Sequence, residues 1–444
     1  MPRYIWGNDL HFSINFNFFS QLCYLFRYSL IICCFIYLPL AHSTSTDFFS
    51  YGLYLRSGVG SNFKGGDQEC FNNPGTPGNE FRLGNECQNY GELVLTGLPI
   101  RADEQSQTYV KAQVRLAFSQ DGDTNWEGAN SEDPIAVRES FVEIGGIDNS
   151  PISFWAGKRF YRENDLHMND FYYFADTSGN GGGVGHIPFL RGHLHLAWLR
   201  ENSQIQTDKG KRALNLFDAR AKGLQIAPGH NLNLWLGYAY VPSAIEVDSQ
   251  SELASHSGKV FGVLHDWNLN GGFNHLALLY GQGLMREFNL YAPLDTVKDS
   301  IESRRLKDSR RFRLVEHLSM EVGQDFAFHF ATTFEWRDNG NSDEGEVWWN
   351  VGVRPVYFFT DHYQIAFEAG TSIVNRKNED LRRLTRFTIA PQVATSRSLW
   401  GRPVVRAFVS RSFWSRSNRG DVGATAYENS TSGGSFGLHI EAWF

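Results

Sequence analysis

Apolar and polar residues alternate along most of the chain with a period of two, the spacing of a β-strand that has one wet face. Between residues 110 and 118 every even position is apolar, and Lys111, Gln113 and Arg115 lie between them. The same alternation recurs in residues 231–240 and 326–336. Clusters rich in Gly, Asn, Asp and Ser, such as residues 177–185, separate these segments. The pattern predicts strands joined by turns and loops.

Alternation alone fits a soluble β-sandwich as well as a membrane barrel, but two further features favour the barrel. Aromatic residues such as Tyr240 and Trp336 lie at the ends of apolar faces, where a membrane interface would place them. The last ten residues alternate to the final position and place four apolar residues on one face, which are Phe436, Leu438, Ile440 and Phe444. A barrel closes its seam with its last strand, so this face is expected to contact lipid.

Composition agrees with an outer-membrane barrel and sets its size. The 444 residues include 35 Phe, 18 Tyr, 12 Trp and 43 Gly, which suits two aromatic girdles and many turns. About 400 mature residues, at roughly 22 residues for each strand with its connection, predict an all-β transmembrane antiparallel barrel of about 18 strands. The net charge of −7 gives no support for a nucleic-acid partner.

The beginning of the chain has the pattern of an export signal. Residues 30–41 form an apolar run that follows Arg27 and precedes small residues. A run of 12 residues is too short to span a bilayer as a helix. We therefore expect residues 1–43 to be a cleaved signal peptide and residues 44–444 to form a single porin β-barrel domain in the bacterial outer membrane.

Cysteine usage agrees with export. Cys23, Cys33 and Cys34 lie in the predicted leader, and the mature chain keeps Cys70 and Cys87. An even pair in an exported protein predicts one disulfide, with two free thiols as the alternative. Closing this loop would stabilise the fold by roughly 3 kcal/mol.

Residues 155–173 begin as a strand and then become dense in charged and aromatic side chains. A strand that leads into such a run suggests a loop held against another surface. Inside a barrel that surface would be the inner wall, and the loop would narrow the pore.

The chain resembles the maltoporin family of carbohydrate-selective outer-membrane porins. Five blocks in the same order carry the resemblance, at residues 55–60, 81–87, 155–161, 351–355 and 433–437. The resemblance implies a homotrimer of barrels, each with 18 antiparallel strands and an inward-folded third loop that forms a constriction. It also implies a ladder of aromatic residues, often called a greasy slide, with polar tracks beside it.

Positions that match the family's motifs give the implied site. The aromatic slide would comprise Tyr54, Tyr90, Trp126, Phe261, Trp400 and Trp443. Trp126 would reach from the second loop into the mouth of a neighbouring protomer. The polar track and constriction would comprise Arg56, Arg82, Glu92, Arg138, Asp165, His167, Asp170 and Tyr172. Tyr172 would be the residue that narrows the pore.

Strand parity supports several of these assignments without the resemblance. Tyr54 and Arg56 share the non-aliphatic face of the first strand, and Trp400 has the parity of Arg402 and Arg406. A pyranose ring has an apolar face of C–H groups and a rim of hydroxyls, so it can lie on an aromatic ring while charged side chains bind its edge.

One position departs from the family's pattern. Glu163 stands where the family usually has a basic residue. In an extended segment the neighbouring Arg162 would point the opposite way and could not simply replace that charge. The basic half of the polar track is therefore expected to be weaker.

These observations favour a sugar-selective porin for facilitated diffusion of maltose, malto-oligosaccharides or related sugars. Conduction requires no chemical step, so no enzymatic activity, catalytic residue or cofactor is expected. Two alternatives stay open: a general diffusion porin with the same fold, and a secreted carbohydrate-binding β-protein or an enzyme built on one.

Two other groups of residues have a less specific interpretation. His193 and His195 share a strand face, but no Cys, His or Asp cluster accompanies them, and we expect no metal site. The basic residues between positions 304 and 311 predict a solvated loop face, with a contact to lipopolysaccharide or to an acidic sugar as alternatives. Outer-membrane lipid and lipopolysaccharide are expected partners.

Overall fold

The computed structural model describes residues 49–97, 107–121, 135–290, 292–341 and 343–444. The predicted signal peptide and Trp126 lie outside these described residues.

The strands of the described chain are β1 (Phe49–Asn62), β2 (Gln88–Gly97), β3 (Tyr109–Asp121), β4 (Ile135–Gly145), β5 (Ser153–Arg159), β6 (Arg162–Leu166), β7 (Phe171–Asp176), β8 (Gly179–Phe189), β9 (Gly192–Thr207), β10 (Gly210–Ala227), β11 (His230–Val241), β12 (Ala244–Ile245), β13 (Glu252–Leu253), β14 (His256–Leu269), β15 (Gly272–Gly283), β16 (Arg310–Val322), β17 (Phe326–Asp338), β18 (Glu346–Phe358), β19 (Tyr363–Arg376), β20 (Arg382–Ala394), β21 (Val404–Trp414) and β22 (Ser432–Trp443). The helices are α1 (Ile301–Asp308) and α2 (Ala424–Tyr427), with 3-10 turns at Ile147–Asn149 and Arg416–Asn418. Among the described residues, no helix has the length and hydropathy needed to cross a bilayer.

Within the described residues, eighteen of these strands form one closed sheet. Each strand pairs antiparallel with its neighbours in sequence order, and β22 pairs back with β1 to close the seam. The hairpins β6–β7 and β12–β13 lie in loops and form separate two-stranded sheets. The prediction of an antiparallel barrel of about 18 strands is therefore confirmed.

The two faces of the wall follow the predicted alternation. In β22, Phe436 and Leu438 are exposed on the outside, whereas His439 and Glu441 are buried on the inside. The terminal Phe444 is 67% exposed. An apolar outer face and a charged inner face are the arrangement of a barrel whose solvent outside is lipid and whose lumen is polar.

The two rims of the barrel differ in the length of their connections. One rim has short turns, such as residues 190–191, 228–229 and 270–271. The other has long loops, such as residues 63–87, 284–309 and 415–431. In outer-membrane barrels the short turns face the periplasm and the long loops face the exterior, so the loop rim is the outer end of the pore.

The third loop (residues 160–178, including β6 and β7) folds into the barrel, as predicted. Its Leu166, Tyr173 and Phe174 are buried against wall residues that include Trp235 and Val260. Gly262 allows this close approach, because a Cβ atom there would lie 3.1 Å from the Phe174 ring. The apolar side of the loop therefore packs on the wall and leaves its polar side toward the lumen.

The first loop (residues 63–87) also folds inward, which the sequence analysis missed. The disulfide between Cys70 and Cys87 is present, with Cα atoms 6.0 Å apart, and confirms the predicted pairing. Phe81 is fully buried, and the Arg386 guanidinium donates to the carbonyl oxygen of Gly84 at 2.7 Å. Two inward loops therefore share the lumen.

A Gly370→Ala substitution is expected to disturb the packing of the first loop against the barrel wall. An added Cβ would lie 2.0 Å from the Phe81 ring, so either the ring or the strand must move. Overpacking of this kind costs about 1–3 kcal/mol in the free energy of unfolding. Urea unfolding monitored by gel mobility measures it. Gly97→Ala is the control, since the nearest atom to its added Cβ lies 3.7 Å away; equal loss in both variants would contradict the prediction.

One segment predicted as a loop is a strand. Residues 179–185 belong to β8, which pairs with β5 and β9. A Cβ at Gly183 would lie 2.6 Å from Trp155 Nε1, and Trp155 is buried. Glycine is needed here because a side chain at position 183 would meet the Leu196 carbonyl oxygen and the Trp155 ring, which explains why turn-forming composition misled the prediction.

Candidate functional site

A cavity of about 900 Å³ lies in the lumen between the two inward loops and the wall. Eleven of the fourteen predicted site residues line it: Tyr54, Arg56, Arg82, Tyr90, Glu92, Asp165, His167, Asp170, Tyr172, Trp400 and Trp443. The structure therefore brings most of the predicted slide and track together in one place. Trp126 lies outside the described residues, while Phe261 and Arg138 lie elsewhere.

The loop side of the cavity begins with three aromatic rings in series. The centroids of Tyr90 and Tyr54 are 6.0 Å apart. Tyr54 then stacks on Trp443, with centroids 6.5 Å apart and planes 16° from parallel. β1 pairs with both β2 and β22, so the seam of the barrel brings the three rings together.

The series continues toward the turn rim through a histidine. The His167 ring lies 6.0 Å from Trp443 and 5.4 Å from Trp400. Trp400 then stacks on Phe273, with centroids 6.4 Å apart and planes at 27°. Trp400 lies in the turn segment 395–403 and not in a strand. The alternation of β21 therefore does not determine which way its side chain points.

Phe261 was wrongly assigned to the slide. It is 47% exposed on the outer face of β14 and pairs with Leu236 and Tyr280. The inner face of β14 carries Val260 and Leu264, which pack under the third loop, so both faces of this strand are apolar and parity could not decide. Phe273 faces inward beside His275 and stacks on Trp400, and its parity with His275 was a signal that could have identified it.

Arg56 and Arg82 are held by a shared set of carboxylates. Arg56 Nη1 donates to Glu86 Oε1 and to Asp170 Oδ2, each at 2.9 Å. Arg82 Nε donates to the same Glu86 oxygen at 2.8 Å, and Arg82 Nη2 donates to the Tyr54 hydroxyl oxygen at 2.8 Å. These contacts fix the guanidinium groups beside the first ring pair, where predicted.

Glu441 is a charged residue that the sequence analysis did not select. Its carboxylate forms ion pairs with Arg402 at 2.8 Å, Arg406 at 3.1 Å and Arg82 at 3.4 Å. It is 2% exposed. Arg402 also lies 4.2 Å from the centre of the Trp443 ring. Glu441 shares the inward parity of Trp443 in β22, which was the available signal.

Glu92 and Arg138 are both predicted members of the polar track, but only Glu92 lines the cavity. The Tyr90 hydroxyl donates to Glu92, which also pairs with Arg115. Arg138 instead lies 5.1 Å from the centre of the Phe160 ring and does not line the cavity. Arg138 thus neighbours the track residues without reaching the space that they surround.

The structure corrects the expected orientation at positions 162 and 163. Arg162 lines the cavity, 4.0 Å from the centre of the Tyr172 ring, whereas Glu163 pairs with Arg220 at 2.6 Å and with Lys222 in the wall. Burial alone would raise the pKa of Glu163, but the two cations outweigh it and lower the pKa to about 2. The lumen therefore keeps a basic group here, one residue earlier in the chain than the family's pattern places it.

The pKa values of three ionisable residues in the third loop are shifted in different directions by burial and by neighbouring charges. Burial raises the pKa of Asp165 to about 6, with Asp170 adding to the rise and Arg82 opposing it. Burial also acts to raise the pKa of Asp170, but Arg82 and Arg56 outweigh it and lower the pKa below its ordinary value. Burial holds the pKa of His167 well below its ordinary value. At neutral pH His167 is therefore an uncharged ring within the aromatic series.

Ion selectivity is expected to change near pH 6 because of Asp165. As pH falls from 7 to 5 its carboxyl group takes up a proton, and the cavity loses one negative charge. Cation selectivity should fall over this range in the wild type. Reversal potentials in a KCl gradient measure it. Asp165→Asn should lack the transition near pH 6, and an unchanged transition in this variant would contradict the assignment.

A second charged wall, which was not predicted from the sequence, faces the lumen on β16 and β17. Arg311, Arg313 and Arg337 line the cavity and all pair with the fully buried Glu335. The sequence predicts Arg311 to be part of a solvated basic loop face. The structure places it inward on β16, while Arg304, Arg305 and Lys307 lie on α1.

This arrangement places a series of rings along the pore, two pairs of them stacked and the others tilted or edge-on, with fixed hydrogen-bonding groups beside them. Such a surface can bind a molecule that has both an apolar face and a polar edge.

A sequence model of the LamB porin family matches residues 49–444. Similar solved structures include OccK9 (OpdG) of Pseudomonas aeruginosa, at 10% identity and a TM-score of 0.48, covering 89% of this chain and 98% of that one. A BenF-like porin from Pseudomonas fluorescens Pf-5 is 12% identical, with a TM-score of 0.47 and coverage of 90% and 99%. OccAB4 of Acinetobacter baumannii is 11% identical, with a TM-score of 0.45 and coverage of 92% and 100%.

Proposed function

The chain belongs to the LamB porin family, and from this premise we propose that it conducts maltose, malto-oligosaccharides or related sugars by facilitated diffusion. It is an outer-membrane porin, and the proposal concerns what passes through its channel.

The observation that carries the proposal is the unbroken series of rings along the lumen. Tyr90, Tyr54, Trp443, His167, Trp400 and Phe273 follow one another with centroid separations between 5.4 and 6.5 Å. Large apolar rings on the wet face of a barrel lose contact with lipid and gain nothing from water. Their position is explained if a ligand with apolar faces moves across them.

The flanking charges fit the same ligand. Arg56, Arg82 and Arg402 lie beside the rings, and carboxylates hold each guanidinium in place. Hydroxyl groups at a sugar edge can donate to these carboxylates and accept from the guanidinium groups. Several similar weak sites in series let a chain of sugars exchange contacts step by step, so that it enters and leaves readily.

We also propose that the functional unit is a homotrimer in contact with lipopolysaccharide. Family membership supports the trimer, because the resemblance implies an assembly of three barrels. Heating the purified protein in detergent should convert a slowly migrating species on a gel to monomers. Migration as a monomer before heating would overturn this part of the proposal.

Liposome swelling tests the selectivity. Liposomes that contain the protein should take up maltotriose faster than raffinose, a trisaccharide of the same mass but a different shape. Liposomes without protein give the background. Equal rates for the two sugars would overturn the proposal and leave a general diffusion porin.

A further inference from the structure

Two cavities meet on the outer face of the barrel near the loop rim. The upper cavity, of about 790 Å³, lies between the loops that follow β11 and β15. The lower cavity, of about 690 Å³, lies on the strand surface below it. Tyr238 and Lys259 line both cavities, so the two form one continuous groove.

The lower part of the groove is apolar. Phe217 and Leu236 are 59% and 56% exposed on the outer faces of β10 and β11, and Tyr280 of β15 lies beside them. In an outer-membrane barrel this height of the outer wall contacts hydrocarbon. The lower groove therefore presents an apolar surface at the depth of the lipid chains.

The upper part of the groove is basic. Four cations line it, Lys259, Lys298, Arg304 and Lys307, against two carboxylates, Glu252 and Asp299, which leaves an excess of two positive charges. Lys298 pairs with Glu252 at 2.7 Å. Among the described residues, no carboxylate forms an ion pair with Lys259, Arg304 or Lys307. Three cations thus remain available to an anion from outside.

The basic face is held in place by the fold. Arg304 and Lys307 are three residues apart on α1, so they share one side of the helix. Ser300 caps the N-terminus of α1, and Leu306 is buried. His256 of β14 lies 2.8 Å from Thr296 Oγ1 and 3.4 Å from Ser303 Oγ, which ties α1 and the segment before it to the barrel wall.

We propose that this groove binds one molecule of lipopolysaccharide, with a glucosamine phosphate on Lys259, Arg304 and Lys307 and an acyl chain in the apolar part below. The loop rim lies at the outer leaflet, where this phosphorylated glycolipid is found. Arginine and lysine suit phosphate, and a basic pocket above an apolar wall matches an anionic lipid from headgroup to chain. A soluble acidic sugar would need only the basic part. The inference rests on the outer-membrane location and is independent of sugar selectivity.

Binding of lipid A that carries two phosphates tests the proposal. The full-length protein, purified in detergent and stripped of lipid, would be titrated with lipid A and analysed by native mass spectrometry. Wild type should bind one molecule per protomer. The double variant Lys259→Gln, Arg304→Gln should bind roughly tenfold more weakly, as expected when charged contacts to phosphate are lost. The double variant Phe217→Ala, Leu236→Ala should also bind lipid A more weakly, because it removes apolar contacts to the acyl chain.

Controls separate this site from general attraction to anionic lipid. Lys377→Gln removes an exposed cation from another loop and should leave lipid A binding unchanged. Gel mobility of each variant before and after heating shows whether the barrel is folded. Phosphatidylglycerol should bind wild type more weakly than lipid A does. Equal lipid A binding by wild type and the basic double variant, or equal affinity for the two lipids, would overturn the proposal.

Discussion

Trp400→Ala is expected to weaken the block of ion current by maltotriose about 5- to 30-fold. Trp400 joins the upper rings to Phe273, so its loss removes one stacking surface and breaks the series. Removal of an aromatic partner costs about 1–2 kcal/mol of binding free energy, which gives this range. Titration of single-channel current with maltotriose in a planar bilayer measures the half-blocking concentration.

Phe261→Ala is the matched control for this prediction. It also removes a large aromatic side chain, but from the outer face of β14. Sugar block should remain at the wild-type level in this variant. An equal loss of block in both variants would show that the effect of Trp400→Ala is a general disturbance of the barrel.

Glu441→Gln is expected to lower the free energy of unfolding by about 3–5 kcal/mol, the usual cost of removing one partner from a buried ion pair. Arg82 keeps Glu86 as a partner, but Arg402 and Arg406 have no other carboxylate partner within the described chain. The lumen also loses one negative charge, so the current should become more selective for anions. Urea unfolding and reversal potentials measure the two effects.

Asp343→Asn provides the control for Glu441→Gln. Asp343 pairs with Lys377 of another loop, and both side chains are exposed. Exposed pairs contribute about 0–1 kcal/mol, so this variant should unfold close to the wild type. If Glu441→Gln were as stable as Asp343→Asn, the arrangement of Arg82, Arg402 and Arg406 would not depend on the Glu441 carboxylate.

The barrel could be predicted from the sequence because the alternation of apolar and polar residues is regular in its strands, including β22. In β22 the apolar face meets lipid and the polar face meets the lumen, so one residue's parity gives its environment. The seam also brings together Tyr54, Tyr90 and Trp443, which lie on three different strands. This part of the site could be identified because motif position and parity agreed.

Prediction failed where inward loops change what the inner face contacts. On β14 the inward residues are apolar, since Val260 and Leu264 pack against the third loop and not against water. Parity then carries no information, and Phe261 was assigned to the wrong side. The inward course of the first loop was missed for a similar reason, because Phe81 is accommodated by Gly370 on a distant strand.

The orientation of Arg162 could not be predicted because the third loop is not regularly extended. The pairing of β6 with β7 has a register shift between Glu163 and Asp165, and Asn164 has a positive φ of 58°. This irregularity breaks the simple alternation that was assumed. The partners of Glu163, Arg220 and Lys222, lie in the wall, more than fifty residues away in sequence.

Single-channel current through the wild-type protein, titrated with maltose and then with maltotriose, tests the central claim most directly. The ring series predicts concentration-dependent block that is tighter for maltotriose, because a longer chain covers more rings at once. A current that no sugar alters, at any concentration, would contradict the account and leave an open, unselective pore.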